Sequence, residues 1–205
     1  MKFFFADSLD CVDPNFDFIR DCTDPTRNRQ SGDVFAHELM GQSSYHGILL
    51  SYATVGNAKA TNRFAQGQRI RLYREGVREF YRFPQSGYSG DPLDYPIMGD
   101  SGSFSFRDQE NPPYTQEELF DFYHTCGFTH GVALDHIIAE KNTQWDDSRC
   151  RPAEVEAKYE RTLTNARDFL NLHRKNKATF IPIGVIQAWS PRSPARQARA
   201  LVDLG

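Results

Sequence analysis

Three polar residues in the second half of the chain each follow an apolar run: Asp100 after 95–99, Asp135 after 132–134 and Gln187 after 181–186. Short apolar runs alternating with amphipathic stretches predict strands of a parallel sheet, whose carboxyl ends converge on one face where ligands bind. Two carboxylates and an amide on that face would suit a guanine-like edge. A carboxylate accepts from both a ring N–H and an exocyclic amine, while a glutamine offers one donor and one acceptor. Taken singly, an Asp after a strand is equally a helix cap or a turn residue. The combination is the stronger signal.

The elements that must position these residues are clearest beyond Tyr95. A buried strand is predicted over 95–98. Thr115 to Glu118 then supplies a capping box before Leu119, Phe120, Phe122 and Tyr123, and Gly127 stands where that helix should end. A second strand over 130–134 leads to a long helix over about 152–173, with Val155, Tyr159, Leu163, Ala166, Phe169 and Leu170 forming one stripe. A third strand over 178–186 precedes a last helix capped by Ser193, with Pro194 in its first turn. Upstream the pattern predicts a strand over 2–5, a short helix from Asp33 to near Gly41 and a strand over 47–50. The Gly- and Pro-rich run 86–94 reads as a surface loop.

This alternation is an α/β fold, and residues 1–205 read as a single partial domain. The strands counted are too few to close a barrel, because a (β/α)₈ barrel takes about 250 residues. The expectation is the N-terminal part of a TIM-type barrel, incomplete in this chain, which either belongs to a longer protein or is completed by a partner chain. A hydrophobic share of 39% and a charged share of 25% are those of an ordinary soluble domain rather than of a disordered or membrane protein. No apolar run approaches the roughly 20 residues of a membrane helix, and the start lacks the features of a signal peptide, so a cytoplasmic protein with no membrane partner is expected. The formal charge of −3 argues against a basic nucleic-acid coat but allows a local cationic patch.

With those residues in view, the segment Tyr95-Pro-Ile-Met-Gly-Asp-Ser-Gly-Ser-Phe104 resembles the PIL-x-DSGG-aromatic motif of the tRNA-guanine transglycosylase superfamily. Gly131-Val-Ala-Leu-Asp135 and Ile183-Gly-Val-Ile-Gln187 resemble its next two base-pocket strands in the same order, and the opening Met1 to Pro14 resembles the branch that inserts 7-deazaguanines into DNA. The resemblance implies Asp100 as the general acid/base, and Asp135 as the reader of the guanine Watson–Crick edge. It implies Gln187 as a base contact, Ser101 and Gly102 as the tight turn at the ligand, and Phe104 as the motif's aromatic. It departs at Ser103, where the motif has a second Gly, at Ile137, where the tRNA enzymes usually have Cys, and at Ala188-Trp189, which replace a Gly.

The activity so implied is a double displacement at the sugar C1′ that exchanges guanine for 7-cyano-7-deazaguanine (preQ₀) or a relative. DNA is the implied partner, with tRNA as the alternative, and accessory DNA-modification proteins or a partner chain are further expectations. A non-catalytic base-binding subunit is the reading from another class. The superfamily's nucleophilic Asp and its Cys/His zinc cluster fall later than Gly205 in its pattern. No cofactor is therefore expected within this chain, and zinc is expected in a missing C-terminal half. Neither Asp7 nor Asp10 matches the nucleophile's place.

Other signals are open to two readings. Arg63, Arg69, Arg71, Arg74, Arg78 and Arg82, interleaved with aromatics, read either as a nucleic-acid backbone contact or as a salt-bridged helix followed by a strand. Arg192, Arg196 and Arg199 form a second such patch. His136 beside Asp135 points the opposite way on an extended segment. Ser101 has no nucleophile elbow around it. Cys11, Cys22, Cys126 and Cys150 lack zinc spacing and read as free thiols.

Overall fold

The computed structural model describes residues 2–6, 9, 11–28, 32–40, 45–56, 63–85, 89–91, 94–109 and 111–205. Asp7, Asp10 and parts of the run 86–94 lie outside them. The strands are β1 Phe4–Ala6, β2 Cys11–Val12, β3 Val34–Phe35, β4 Gly47–Ser51, β5 Ile97–Asp100, β6 His130–Val132 and β7 Ile181–Ile183. The α-helices are α1 Ala36–Met40, α2 Tyr52–Val55, α3 Gln66–Glu75, α4 Val77–Phe80, α5 Gln116–Cys126, α6 Ala153–Lys175 and α7 Ser193–Asp203.

Five strands form one parallel sheet in the order β1-β4-β5-β6-β7, and β2 pairs with β3 in a separate antiparallel ribbon. Strand order in the main sheet follows chain order without reversal. The α/β class expected from the alternation is therefore observed, and the carboxyl ends of β5, β6 and β7 lie side by side. In register, Ser51 pairs with Asp100, Gly99 with Gly131 and Val132 with Ile183.

Local chemistry fixes the helices that back these strands. Thr115 Oγ1 accepts from Glu118 N at 3.2 Å while Thr115 N donates to Glu118 Oε2 at 2.8 Å, so the capping box forms as read. Gly127 at φ +70° ends α5 in the left-handed conformation. Between those ends α5 buries Leu119, Phe120, Phe122, Tyr123 and Cys126. The Tyr123 ring lies over Gly99 and Gly131, where a Cβ on either glycine would meet it, and its hydroxyl donates to Val132 O at 3.1 Å. Side chains larger than hydrogen at these paired positions would push helix from sheet. On α6, Tyr159, Thr162, Ala166 and Phe169 are buried, with Glu154 and Glu156 in its first turn and His173, Arg174 and Lys175 in its last, in keeping with the helix dipole.

Several boundaries differ from the sequence reading. The strand expected over 95–98 pairs over Ile97–Asp100, so Asp100 closes the strand rather than following it. The strand expected over 178–186 pairs only over Ile181–Ile183, because its partner β6 runs only from His130 to Val132. Ser193 is the first residue of α7 and not its cap. Its hydroxyl accepts from Trp189 N and Ser190 N, while Ser190 Oγ takes the Arg192 and Ser193 N–H groups.

In the arginine-rich stretch no strand follows α3. Gly76 at φ +83° breaks the helix and α4 continues. Arg71 and Arg74 pair with Glu75, Arg82 pairs with Glu38, and buried Arg78 donates to Pro84 O and Tyr95 O. Arg78 is thus committed within the protein, while Arg71, Arg74 and Arg82 form ion pairs of the kind the salt-bridged reading expects. No helix among the described residues is long and apolar enough to cross a membrane.

Candidate functional site

At the end of β5 the chain must turn sharply, and its residues are chosen for that turn. Gly102 sits at φ +76°, and a Cβ there would collide with Ser51 Oγ and Ala53 Cβ. The turn lets Gly102 N donate to Asp100 Oδ2 at 2.8 Å. It also buries Ser101 completely, with Ser101 O accepting from the Tyr114 hydroxyl. A 3₁₀ turn, Ser103–Phe106, follows.

Asp135 lies at the centre of the cluster. Ser101 Oγ donates to its Oδ1 at 3.1 Å, and Gln187 Nε2 donates to its Oδ2 at 2.6 Å. The Gln187 Oε1 in turn accepts from Ile138 N at 3.1 Å. Asp135 is 4% exposed and Gln187 8%, whereas Asp100 is half-buried. Asp100, Ser101, Gly102, Asp135 and Gln187 are thus brought to one place by three adjacent strand ends. Phe104 is not buried with them: it is 68% exposed, with the Arg107 guanidinium 4.3 Å from its ring. Both functional groups of the Gln187 amide are engaged by the protein, so its evident work here is to hold Asp135.

The electrostatics follow from this packing. Burial first, and the charge of Asp135 second among the raising influences, lift the Asp100 carboxyl above its ordinary value against the opposing Gly102 and Ser101 amides and Ser51 hydroxyl. Burial also raises Asp135, opposed by hydrogen bonds from Ser103, Ser101, its own amide and Gln187. Two neighbouring carboxyls raised in this way are candidates for proton transfer.

His136 faces elsewhere. Its amide donates to Thr162 Oγ1 at 3.0 Å, and its ring is pushed down to about 4 by burial, with Arg161 and Lys158 adding to the effect. The imidazole is therefore neutral near pH 7. Among the described residues no group of three or more His, Cys, Asp or Glu side chains could hold a metal ion, and Cys11, Cys22, Cys126 and Cys150 are free. These residues do not fit a zinc site. A cleft of about 650 Å³ beside the 3₁₀ turn is lined by Arg107, Lys158 and Arg161, but Asp108 and Glu154 line it too and pair with Arg107 and Lys158. It has no strong cationic bias.

Sequence reasoning missed the residues behind the cluster. Tyr114 braces Ser101, and Gln116, Thr162 and Gln197 take backbone N–H groups at the strand ends. The available signal was a polar residue at a buried helical position, as Thr162 is between Tyr159 and Ala166.

The class defined so far is an α/β protein with a parallel sheet and two carboxyls, one half-buried and one buried, where adjacent strands end. The chain is 36% identical, over 208 aligned positions, to a DNA-guanine transglycosylase of Salmonella montevideo; the match takes in all of this chain and 47% of that relative. It therefore spans about half the length of the curated relative it matches. No family model matches the chain. That relative is named as a transglycosylase, which agrees with the superfamily the motifs resemble.

Proposed function

We propose that this chain builds the base-recognition side of a cytoplasmic transglycosylase that replaces guanine in DNA with a 7-deazaguanine, 7-cyano-7-deazaguanine in the first instance. The observation that carries the reading is the convergence of Asp100, at the end of its strand, with Asp135 and Gln187, shortly beyond the ends of the next two strands, with Asp135 oriented by Ser101 and Gln187. DNA as the substrate is supported by the relative's name. Five parallel strands in chain order suit the N-terminal part of a (β/α)₈ barrel.

In this reading Asp135 accepts from the N1–H and exocyclic amine of the base, and Phe104 stands at the rim of its approach. A guanine in a duplex must first be flipped out of the stack. A carboxylate outside these residues attacks C1′, and the C1′–N9 bond breaks with its electron pair going to the purine. Asp100 supplies the proton that neutralises the departing guanine. The same Asp100, now ionised, removes the N9 proton of the incoming base. That base then attacks C1′ and releases the enzyme carboxylate. The raised Asp100 pKa suits both directions of transfer. Zinc, in this reading, belongs to the remaining half of the transglycosylase.

The test is to incubate the full-length protein with a guanine-containing DNA duplex and 7-cyano-7-deazaguanine, then digest the DNA and weigh its nucleosides. The reading predicts a deazaguanine deoxynucleoside that is absent with Asp100→Ala. A chain covering 47% of its relative also suits a base-binding subunit completed by a partner. That second reading predicts base binding without exchange unless the partner is added.

A further inference from the structure

Beyond Ala133, whose N–H donates to Ile183 O at 2.9 Å, the chain leaves the sheet while still buried. Buried backbone N–H groups that lose a ladder partner need another. Each of three helices supplies one from a side chain. Gln116 at the start of α5 accepts from Leu134 N at 2.9 Å, Thr162 in the middle of α6 accepts from His136 N at 3.0 Å, and Gln197 of α7 accepts from Gln187 N. The Thr162 hydroxyl donates to Lys158 O at 2.9 Å, which leaves its lone pairs for the His136 N–H.

The three positions are enclosed: Gln116 is 6% exposed, Thr162 1% and Gln197 0%. Leu134 and His136 flank Asp135, so two helices grip its peptide from either side. The third grips the backbone of Gln187, whose side chain then bridges Asp135 and Ile138. The grips fall on the backbone of the carboxyl-bearing segment and of the residue that orients it.

We propose that Gln116, Thr162 and Gln197 are positioning residues, which fix the Asp135 carboxylate for the base by holding the N–H groups of Leu134, His136 and Gln187. The proposal rests on the reading of Asp135 as the base acceptor. An apolar side chain of similar volume would fill each position without reaching an N–H. A role in packing alone would therefore appear in stability, whereas positioning appears in base affinity.

The test uses full-length protein, equilibrium dialysis with radiolabelled guanine, and thermal melts. Thr162→Val keeps the shape and removes the acceptor; Thr162→Ser keeps the acceptor. Phe169→Leu, two turns along the same buried face, is a destabilised control. Thr162→Val should weaken guanine binding about tenfold, from one lost hydrogen bond to a buried N–H. Thr162→Ser should restore it, and Phe169→Leu should lower the melting temperature with unchanged affinity. Gln116→Met tests the same grip from α5 and should also weaken binding if Thr162→Val does not fold.

Unchanged affinity in the soluble Thr162→Val and Gln116→Met proteins overturns the proposal. So does a Phe169→Leu protein that binds as poorly as Thr162→Val. Asp135→Asn run in parallel separates the two layers: if it binds guanine normally, the base reading itself fails. If only Asp135→Asn weakens binding, the base reading stands and the positioning role is rejected.

Discussion

Gln187 Nε2 donates to Asp135 Oδ2 at 2.6 Å across neighbouring strand ends, and the orientation of that amide is set by Ile138 N, which donates to its Oε1 at 3.1 Å. The amide thus presents its donor to Asp135, which keeps the carboxylate an acceptor. The second oxygen is held by Ser101 at 3.1 Å, and the unused lone pairs on both are what a guanine edge can meet.

Replacing Asp135 with Asn should therefore damage base recognition without damaging the fold. An amide cannot accept from two donors of the base, and the loss should be about 10- to 100-fold in guanine affinity, the scale of a bidentate base contact. Burial raises the Asp135 pKa, so the folded state holds its proton more tightly than the unfolded state. That contribution to stability is full below the ordinary carboxylate range and is lost as pH rises through the raised value. Asp135→Asn should accordingly melt no lower than wild type at pH 7 to 8. Isothermal binding and thermal melts read both quantities.

Asp100→Ala should abolish exchange while leaving nucleic-acid affinity within about twofold, because the role proposed for the side chain is proton transfer. Its carboxyl is raised by burial and by Asp135, so the limb of the kcat/KM profile for DNA on which activity falls as Asp100 loses its proton should lie above the ordinary carboxylate range. An Asp135→Asn protein, lacking the neighbouring charge, should show that limb at lower pH. Single-turnover exchange across pH 4 to 9 measures it.

Gly102→Ala tests the turn. The residue lies at φ +76° and its new Cβ would strike Ser51 Oγ and Ala53 Cβ, so the turn must open and the hydrogen bond from Gly102 N to Asp100 Oδ2 must lengthen. A stability loss of about 1–3 kcal/mol is expected from the strain, together with loss of exchange. Denaturant melts and exchange assays check the two effects.

These contrasts show what a linear reading can see. Asp100 and Asp135 were legible because each ends an apolar run, and the α5 capping box was legible because Thr115 and Glu118 are local partners. The bonds made by Gln187 were not, since its partners are 52 and 49 residues away and only the sheet register brings them near. The full extent predicted for β7 failed because pairing depends on where β6 stops. The reach of Thr162 to His136 depends on how α6 lies against the sheet.

His136 gives a pH prediction separate from the carboxyls. Its folded pKa is lowered to about 4, burial being the main cause, so the neutral ring stabilises the fold above the unfolded value near 6.5 and that stability is lost as pH falls towards 4. His136→Gln should flatten the melting temperature between pH 6.5 and 4 relative to wild type. Melts across that window in a low-salt buffer report it.

The central claim is that the clustered carboxyls serve base exchange in DNA, and nucleoside mass spectrometry on separately digested DNA and tRNA from cells with the gene intact or deleted tests it most directly. A deazaguanine deoxynucleoside that is present in DNA with the intact gene and lost on deletion is the predicted result. The same gene-dependent signal confined to tRNA, or none in either nucleic acid, would contradict it.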